Sequence, residues 1–349
     1  MSEAPIDFPL TTVWGDIDPN NPTLNLYEQV KARFEKECFK VKNPFCYVHI
    51  TEEKKLVSIS FKHIAKYYGY LKYWKVNKKE KYVQVPFVNT WCKDSDIRRY
   101  ECVEMNPLGN KPGNYNTWPG FLAEKIQPIA DDKVMDLVAP IVQHIYEIFA
   151  MNNQEYTDWI LDFFANIVKR PWQKTHVALC IVGLEGCGKT ILLEWFRLKI
   201  LGDTITHQTD HLTSNLSDMK LQRGFSNSLV KKVLIVGDDI NFICRHDEGA
   251  IKSLMSADYT YRPYPEQRGY LKEHNYCNLI LTSNNKNTIP PDDCRFRLFE
   301  CSNKYMGNTS YFNNLAECLA NPSVQRAFFQ FLMARDLSSY PRTFKHWRK

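Results

Sequence analysis

One eight-residue segment, Gly183-Leu-Glu-Gly-Cys-Gly-Lys-Thr190, constrains the fold of this chain more than any other. It has the spacing G-x-x-x-x-G-K-[ST] of a phosphate-binding loop. The apolar run 177–182 before it is typical of a buried strand, and the apolar residues 191–196 after it are typical of the start of a helix. Because such a loop surrounds a phosphate with backbone N–H groups at a helix N-terminus, this order predicts an α/β fold with a nucleotide site. The alternative is a glycine-rich turn that precedes a helix by chance.

Every residue of this loop is a candidate ligand for the expected cofactor, which is ATP with Mg²⁺. Lys189 would reach the β- and γ-phosphates, and Thr190 would hold Mg²⁺ through its hydroxyl. The candidate cofactor-binding residues are Gly183, Leu184, Glu185, Gly186, Cys187, Gly188, Lys189 and Thr190.

Hydrolysis also requires an acidic partner for the metal and a group that acts on the attacking water. An apolar strand is predicted over 229–236, and Asp238 and Asp239 follow it. Asp238 would hold Mg²⁺, directly or through water, and Asp239 would orient or deprotonate the water, a role more often filled by Glu. The alternative for two adjacent acids after a strand is a helix N-cap.

Two further polar residues follow in the same part of the chain. A strand is predicted over 278–281, and Asn284, shortly after it, would hold the attacking water beside the γ-phosphate. Its alternative is a loop-forming polar cluster. Arg295 would stabilise transition-state charge on the γ-phosphoryl group of a neighbouring subunit, with Arg297 as the second choice. The predicted catalytic set is Lys189, Asp238, Asp239, Asn284 and Arg295.

The order of these elements resembles the superfamily 3 helicases, AAA+ ATPases of viruses and plasmids, and in particular the helicase part of viral and mobile-element primase-helicases. Asn116-Thr-Trp-Pro-Gly-Phe121 is similar to the family's N-x-W-x-G-F motif, and Leu221-Gln-Arg-Gly-Phe-Ser-Asn-Ser-Leu is similar to its G-[FR]-x-N segment. The resemblance covers about residues 26–337. Two departures are Asp239, where many relatives have Glu, and Cys294, where many have the first Arg of an Arg-Arg pair. No primase signature is visible.

The resemblance also implies a hairpin that grips single-stranded DNA in a ring channel. The corresponding interval carries Arg262, Arg268 and Lys272 as phosphate contacts and Tyr264 and Tyr270 as stacking faces. The alternative is a hairpin with solvated charges.

A second basic stretch, residues 62–81, interleaves lysines with Tyr67, Tyr68, Tyr70, Tyr73 and Trp74. This mixture suits nucleic-acid binding, but we favour an amphipathic helix with a solvated lysine face. Directly after it, residues 83–88 and 99–103 are predicted to form paired strands.

The strand–helix alternation along the chain predicts an α/β domain with a mainly parallel sheet flanked by helices, preceded by a smaller mixed α+β and helical region. The resemblance implies that this α/β domain is an AAA+ ATPase core. The eleven cysteines are scattered without metal-ligand spacing, and the N-terminus has no secretory signal pattern, so we expect an intracellular protein of the host cytoplasm or nucleus. The predicted regions are a flexible arm over 1–25, a mixed α+β domain over 26–133, a helical collar over 134–170, the ATPase core over 171–310 and a C-terminal helical segment over 311–349.

These features together predict an ATP-dependent DNA helicase or translocase that acts as a homo-hexameric ring on single-stranded or forked DNA, with a separate primase or polymerase as partner and no membrane. The net charge of +6 permits polyanion binding without requiring it. An RNA helicase of a virus is the first alternative, although the upstream N-x-W-x-G-F segment favours DNA. A nucleotide-dependent assembly or packaging ATPase without unwinding is the second.

Overall fold

The structure, a computed structural model, describes residues 26–210, 212, 229–240, 245–263, 270–285 and 294–340. The expected arm over 1–25 lies outside this part. The chain divides into two compact units. The first contains the residues up to Glu104 together with Asn110–Asn116, and the second contains Met105–Gly109 together with the residues from Thr117 onward.

The first unit is a mixed α+β structure around a four-stranded sheet with the strand order β3-β2-β1-β6. Its core packs Phe34, Phe87 and Trp91 edge-to-face. Its helices are α1 (Tyr27–Glu37), α2 (Phe61–Tyr67) and α3 (Phe87–Trp91). Its strands are β1 (Cys38–Val41), β2 (Cys46–Ile50), β3 (Leu56–Ile59), β4 (Lys72–Val76), β5 (Tyr82–Pro86), β6 (Arg99–Tyr100), β7 (Val103–Glu104) and β8 (Tyr115–Asn116).

Two predictions for this unit are wrong. The basic stretch 62–81 is not one amphipathic helix, because helix α2 ends at Tyr67 and strand β4 follows. The strands predicted over 83–88 and 99–103 do not pair with each other. Strand β5 pairs antiparallel with β4, and β6 pairs parallel with β1. The segment after Pro86 is helical, so the predicted first strand ends at that proline.

The second unit has a five-stranded, all-parallel sheet flanked by helices, with the strand order β10-β11-β14-β9-β15. A separate antiparallel hairpin, β12–β13, lies between β11 and β14 in the chain. The strands are β9 (Ala178–Val182), β10 (Thr206–Thr209), β11 (Leu234–Gly237), β12 (Tyr259–Pro263), β13 (Tyr270–His274), β14 (Asn278–Ser283) and β15 (Phe296–Glu300). The described helices are α4 (Asp131–His144), α5 (Gln154–Lys169), α6 (Lys189–Trp195), α7 (Arg245–Ser256), α8 (Thr309–Ala320) and α9 (Pro322–Ala334).

The helices over 134–149 and 156–169 were both predicted and both form. The side chain of Asn153 accepts a hydrogen bond from the Tyr156 N–H and so caps the start of α5. Helix α4 continues into a π-helical turn, Ile145–Phe149. Both helices place apolar residues in one continuous core with strand β9 and helix α9, which anchors the sheet on this side.

Two properties concern the described part as a whole. None of its helices is both long and apolar enough to cross a bilayer. Its cysteines are free thiols.

Candidate functional site

The loop Gly183–Thr190, which the sequence predicts to bind phosphate, lies between β9 and α6. Gly188 caps the helix with a φ of 103°, a conformation that favours glycine. A Cβ atom here would lie 2.8 Å from the His144 ring and 2.9 Å from the Phe312 ring. The loop backbone therefore lies so close to two aromatic side chains that only glycine fits.

Lys189, the lysine of the loop, is buried despite its charge, with a relative exposure of 7%. Its Nζ donates to the carbonyl oxygens of Gly183 and Leu184, the latter at 3.1 Å, and to Asn284 Oδ1 at 3.0 Å. The predicted loop lysine and the predicted strand-end amide are thus in direct contact, although 94 positions lie between them in the sequence.

Asp238 follows β11 and lies next to the end of β14. The hydroxyl of Thr282 donates to Asp238 Oδ1 at 2.6 Å, and Gln208 Nε2 donates to Oδ2 at 2.9 Å. These two donors hold the carboxylate as an acceptor at the carboxyl edge of the sheet.

Asp239 points to the same edge from an unusual backbone conformation, with a φ of 46°. Its N–H donates to Thr282 Oγ1 at 2.9 Å, and Asn284 Nδ2 donates to its Oδ1 at 2.9 Å. Left-handed backbone is uncommon outside glycine and tends to occur at functional sites. It turns Asp239 to solvent while the preceding residue, Asp238, stays half-buried.

These groups surround a cavity of about 480 Å³, a size typical of small-molecule sites. Thr190 and Asp238 both line it, so a hydroxyl and a carboxylate oxygen are available to a hard cation. The described residues contain no cluster of three or more Asp, Glu, His or Cys side chains that could hold a metal ion by themselves. Mg²⁺ at nucleotide sites needs only one or two carboxylates together with substrate phosphates, so this donor set fits it. The lining residues are Glu185, Gly186, Gly188, Lys189, Thr190, Ile191, Asp238, Asp239, Thr282, Asn284 and Phe312.

His144, on helix α4, packs against the loop at Gly188. It is fully buried, its Nε2 lies 3.1 Å from the Gly188 carbonyl oxygen, and its Nδ1 lies 2.8 Å from the Tyr311 hydroxyl. Because a carbonyl only accepts, Nε2 carries the proton and Nδ1 accepts from Tyr311. Burial lowers the pKa of His144 to about 4, so the ring is neutral at pH 7.

Glu147 is a carboxylate one helical turn after His144. Its carboxylate accepts from Lys304 Nζ at 2.8 Å and from the Tyr305 hydroxyl at 2.6 Å. The hydrogen bond from Lys304, followed by that from Tyr305, lowers the pKa of Glu147 to about 2. The Tyr305 ring stacks on Tyr311 with centroids 3.7 Å apart, which links this carboxylate to the partner of His144.

The two candidate arginines lie away from this edge. The carbonyl of Arg295 accepts from the Ala178 N–H at 2.7 Å, at the point where β9 begins. Four strand steps, about 13 Å, separate that point from the last residue of β9, before the loop. Arg297 packs its guanidinium 5.5 Å from the ring centroids of both Tyr156 and Phe299. Neither residue belongs to the cavity of its own chain.

The predicted DNA-binding hairpin is present as β12–β13 in the described residues. Lys272 is exposed and lies 3.8 Å from the Tyr259 ring centroid. Arg262 takes part in the strand pairing, but its side chain and those of Arg268, Tyr264 and Tyr270 lie outside the described part. Since opposite residues share a face, Tyr261 lies beside Lys272, and Tyr261 is 47% exposed.

Sequence reasoning missed several residues at the cavity or beneath it, among them Gln208, Thr282, His144 and Phe312. Thr282 had a usable signal, because it precedes Asn284 by two positions and so lies on the same face of the chain near the strand end. The other three come from elements distant in sequence, and nothing local indicates them.

One protein-family model matches the chain, over residues 181–297, and it is described as a family of unknown function (DUF5906). The match includes the Gly183–Thr190 loop, both aspartates, the hairpin and Arg295, and it ends before helix α8. A search of curated proteins finds no match.

Among solved structures, the chain is similar to the C-terminal region of NrS-1 in its apo form. One such structure has a TM-score of 0.58 at 15% identity and matches 86% of this chain. The chain covers 66% of that structure, slightly less than two thirds. A second structure of the same region has a TM-score of 0.55 at 14% identity, over 93% of this chain and 75% of the other. At this identity the likeness establishes a shared fold.

Proposed function

We propose that this chain is an ATP-dependent DNA translocase of the superfamily 3 helicase type, with an AAA+ ATPase core, from a viral or mobile-element replication system. The observation that carries the proposal is the convergence of Lys189, Asp238, Asp239 and Asn284 around one cavity at the carboxyl edge of a parallel sheet. Ligands of open α/β sheets bind at this edge. The motif order described from the sequence supplies the family, and the fold likeness to the NrS-1 region is compatible with it.

In this proposal the loop backbone and Lys189 bind the phosphates of ATP, and Thr190 and Asp238 would hold Mg²⁺. The metal would neutralise part of the negative charge of the phosphates. Asp239 orients the attacking water or accepts its proton. Asn284 is hydrogen-bonded to both Asp239 and Lys189 and fixes their relative positions. Asn284 exchanges its contacts when phosphate is bound, which lets it sense the state of the nucleotide.

Arg295 acts in trans. Because it lies at the opposite end of β9 from its own loop, it serves the cavity of an adjacent copy, and a closed ring gives every cavity such a partner. The β12–β13 hairpin contacts DNA through Lys272 and its neighbouring tyrosines.

The decisive experiment measures ATP hydrolysis and strand separation on forked substrates with the full chain. We expect ATP hydrolysis that single-stranded DNA stimulates and unwinding of a DNA fork, both absent in Lys189→Ala. Unwinding of an RNA fork alone would assign the chain to RNA. Nucleotide hydrolysis without unwinding of either fork would favour an assembly or packaging ATPase.

A further inference from the structure

Positive charge is concentrated in one part of the first unit. Residues 54–93 contain ten lysines and one acidic residue, Glu80, so this segment alone carries more positive charge than the net +6 of the whole chain. Five of the lysines lie on strands β4 and β5 or near the turn that joins them. They are Lys72, Lys75, Lys78, Lys79 and Lys81, and all are exposed.

The register of this hairpin sorts its residues into two faces. Opposite residues share a face, so Trp74 pairs with Gln84 and Val76 pairs with Tyr82 on one side. Tyr82 lies diagonal to Trp74 on that face, within reach of aromatic side chains. On the other side, Tyr73 is buried in the core of the unit, which fixes the base of the hairpin.

Beyond the base the hairpin extends from the core. Lys75, Val76, Tyr82 and Val83 are all exposed, although they alternate between the two faces. Tyr82 is 48% exposed. Turn contacts order the tip, since the Asn77 side chain accepts from the N–H groups of Lys79 and Lys81. The hairpin therefore presents Trp74 and Tyr82 on one face, with exposed lysines on β4 and around its ordered turn.

We infer that the β4–β5 hairpin is a binding surface for single-stranded nucleic acid. Exposed bases stack on the Trp74 and Tyr82 face, and the lysines contact the phosphates on either side. Single-stranded nucleic acid uses both features of the hairpin. Its bases stack on aromatic rings whatever their sequence, and its backbone phosphates bind the lysines.

The arrangement fits this ligand better than a membrane or an acidic protein. Membrane insertion of a hairpin would bury its tip, and here the tip carries Lys78, Lys79 and Lys81. An acidic protein surface would match the lysines but gives no role to the two aromatic residues, Trp74 and Tyr82, on one face of the hairpin.

This surface goes beyond the proposed ATPase and does not require it. If the parent chain hydrolyses no ATP but loses oligonucleotide binding when the hairpin is altered, the helicase proposal fails and this inference stands. If hydrolysis and unwinding occur and the hairpin variants bind normally, the reverse holds.

The test uses the full chain and a fluorescein-labelled oligo(dT), with affinity measured by anisotropy across a series of salt concentrations. Lys75→Ala/Lys78→Ala/Lys79→Ala removes three phosphate contacts, which lowers the salt slope by about 2 and weakens binding on the order of 100-fold at 0.1 M salt. The matched control, Lys125→Ala/Lys133→Ala/Lys199→Ala, removes three exposed lysines of the second unit and should change neither quantity appreciably.

A second pair of variants tests stacking. Tyr82→Ala should weaken binding roughly fivefold to a hundredfold with an unchanged salt slope, and Tyr82→Phe should retain most of the affinity because the ring remains. All four variants should keep the parental unfolding temperature and the parental ATPase rate without nucleic acid.

The inference is overturned if the hairpin triple variant binds with parental affinity and slope. It is equally overturned if the control triple variant loses as much, or if the hairpin lysines are needed for binding anionic vesicles while oligo(dT) binding is unaffected.

Discussion

We propose phosphate contacts both for Lys189 and for the lysines of the β4–β5 hairpin, but the surroundings of these side chains differ. Lys189 is 7% exposed, and three oxygen acceptors hold it on a loop between a buried strand and a helix. The hairpin lysines are all exposed. A charge in a water-poor site interacts strongly with one ligand atom, whereas exposed charges are screened by salt and act together. A single substitution should therefore abolish function at the first region and only reduce it at the second.

The largest effect is expected at the loop itself. Lys189→Ala removes the ammonium that offsets phosphate charge, so ATP hydrolysis should fall to background and ATP should no longer raise the unfolding temperature. Coupled-enzyme ATPase assays and thermal unfolding with ATP and Mg²⁺ measure both. Lys125→Ala, which removes an exposed lysine, is the control and should hydrolyse ATP at the parental rate. Parental hydrolysis by Lys189→Ala would remove the contrast between the two regions.

The second prediction extends the contrast to the far end of the sheet. Arg295→Ala should lower the ATPase rate on the order of 1,000-fold, because an arginine finger stabilises charge in the transition state. Mixing it with Lys189→Ala chains should restore part of the rate, since some interfaces then combine an intact loop with an intact arginine.

The matched control for that experiment mixes Lys189→Ala with Asp239→Asn chains. Both changes damage the same half of the proposed interface, so no interface is repaired and no rate should return. An active enzyme that remains monomeric at assay concentrations would contradict the proposal that Arg295 acts in trans.

The third prediction separates binding from chemistry within the cavity. Asp239→Asn preserves the size of the side chain but removes the base, so turnover should fall on the order of 100-fold while ATP affinity changes little. Stopped-flow or titration with a fluorescent ATP analogue measures affinity independently of turnover. A parental rate in this variant would show that Asp239 is not the group that acts on water.

The cavity was largely predictable from the sequence because its groups follow buried strands. Gly183–Thr190, Asp238 and Asn284 each come at or just after the end of a strand, and the carboxyl ends of parallel strands meet at one edge. The strand predicted over 229–236 nevertheless begins only at Leu234. Lys231 adopts a φ of 59°, which interrupts extended backbone before that point.

Strand β4 was not predictable in the same way, although the strand predicted over 83–88 overlaps β5 (Tyr82–Pro86). Strand prediction relies on alternating burial, and β4 ends in Lys75 and Val76, which are both exposed. A strand that leaves the core on both faces carries no such alternation, so the basic stretch that contains β4 fitted a helical period equally well. His144 and Phe312 escaped prediction for a different reason: only tertiary packing brings helices α4 and α8 against Gly188.

The fourth prediction concerns the support beneath the loop. The pKa of His144 is about 4 in the folded chain and 6.5 in the unfolded chain. As pH falls from 6.5 to 4, His144 binds a proton in the unfolded state but not in the native state. The free energy of unfolding therefore decreases over this window by about 3 kcal/mol. Chemical denaturation at pH 7 and pH 4.5 measures the loss.

His144→Gln removes the titrating ring and should show a smaller loss over the same interval, whatever its stability at pH 7. Glu147, whose pKa is lowered to about 2, contributes its own loss only between about pH 4.5 and 2, so the two groups separate by window. Equal pH dependence in parent and variant would show that His144 is not the neutral, buried group that the structure describes.

The smallest effect is expected at the β12–β13 hairpin, where one exposed lysine lies over one tyrosine ring. Lys272→Ala removes a single phosphate contact, so the salt slope for single-stranded DNA should fall by about 0.7 and affinity at 0.1 M salt by roughly fivefold. Lys272→Arg keeps the charge and should retain both. Basal ATP hydrolysis should be unchanged in the two variants, because Lys272 is not among the residues that line the cavity. The slope decides which of the two hairpins contacts the backbone. If Lys272→Ala leaves it intact while the β4–β5 lysines change it, the first unit provides the main nucleic-acid surface and the lysine of the second unit is only a solvated charge.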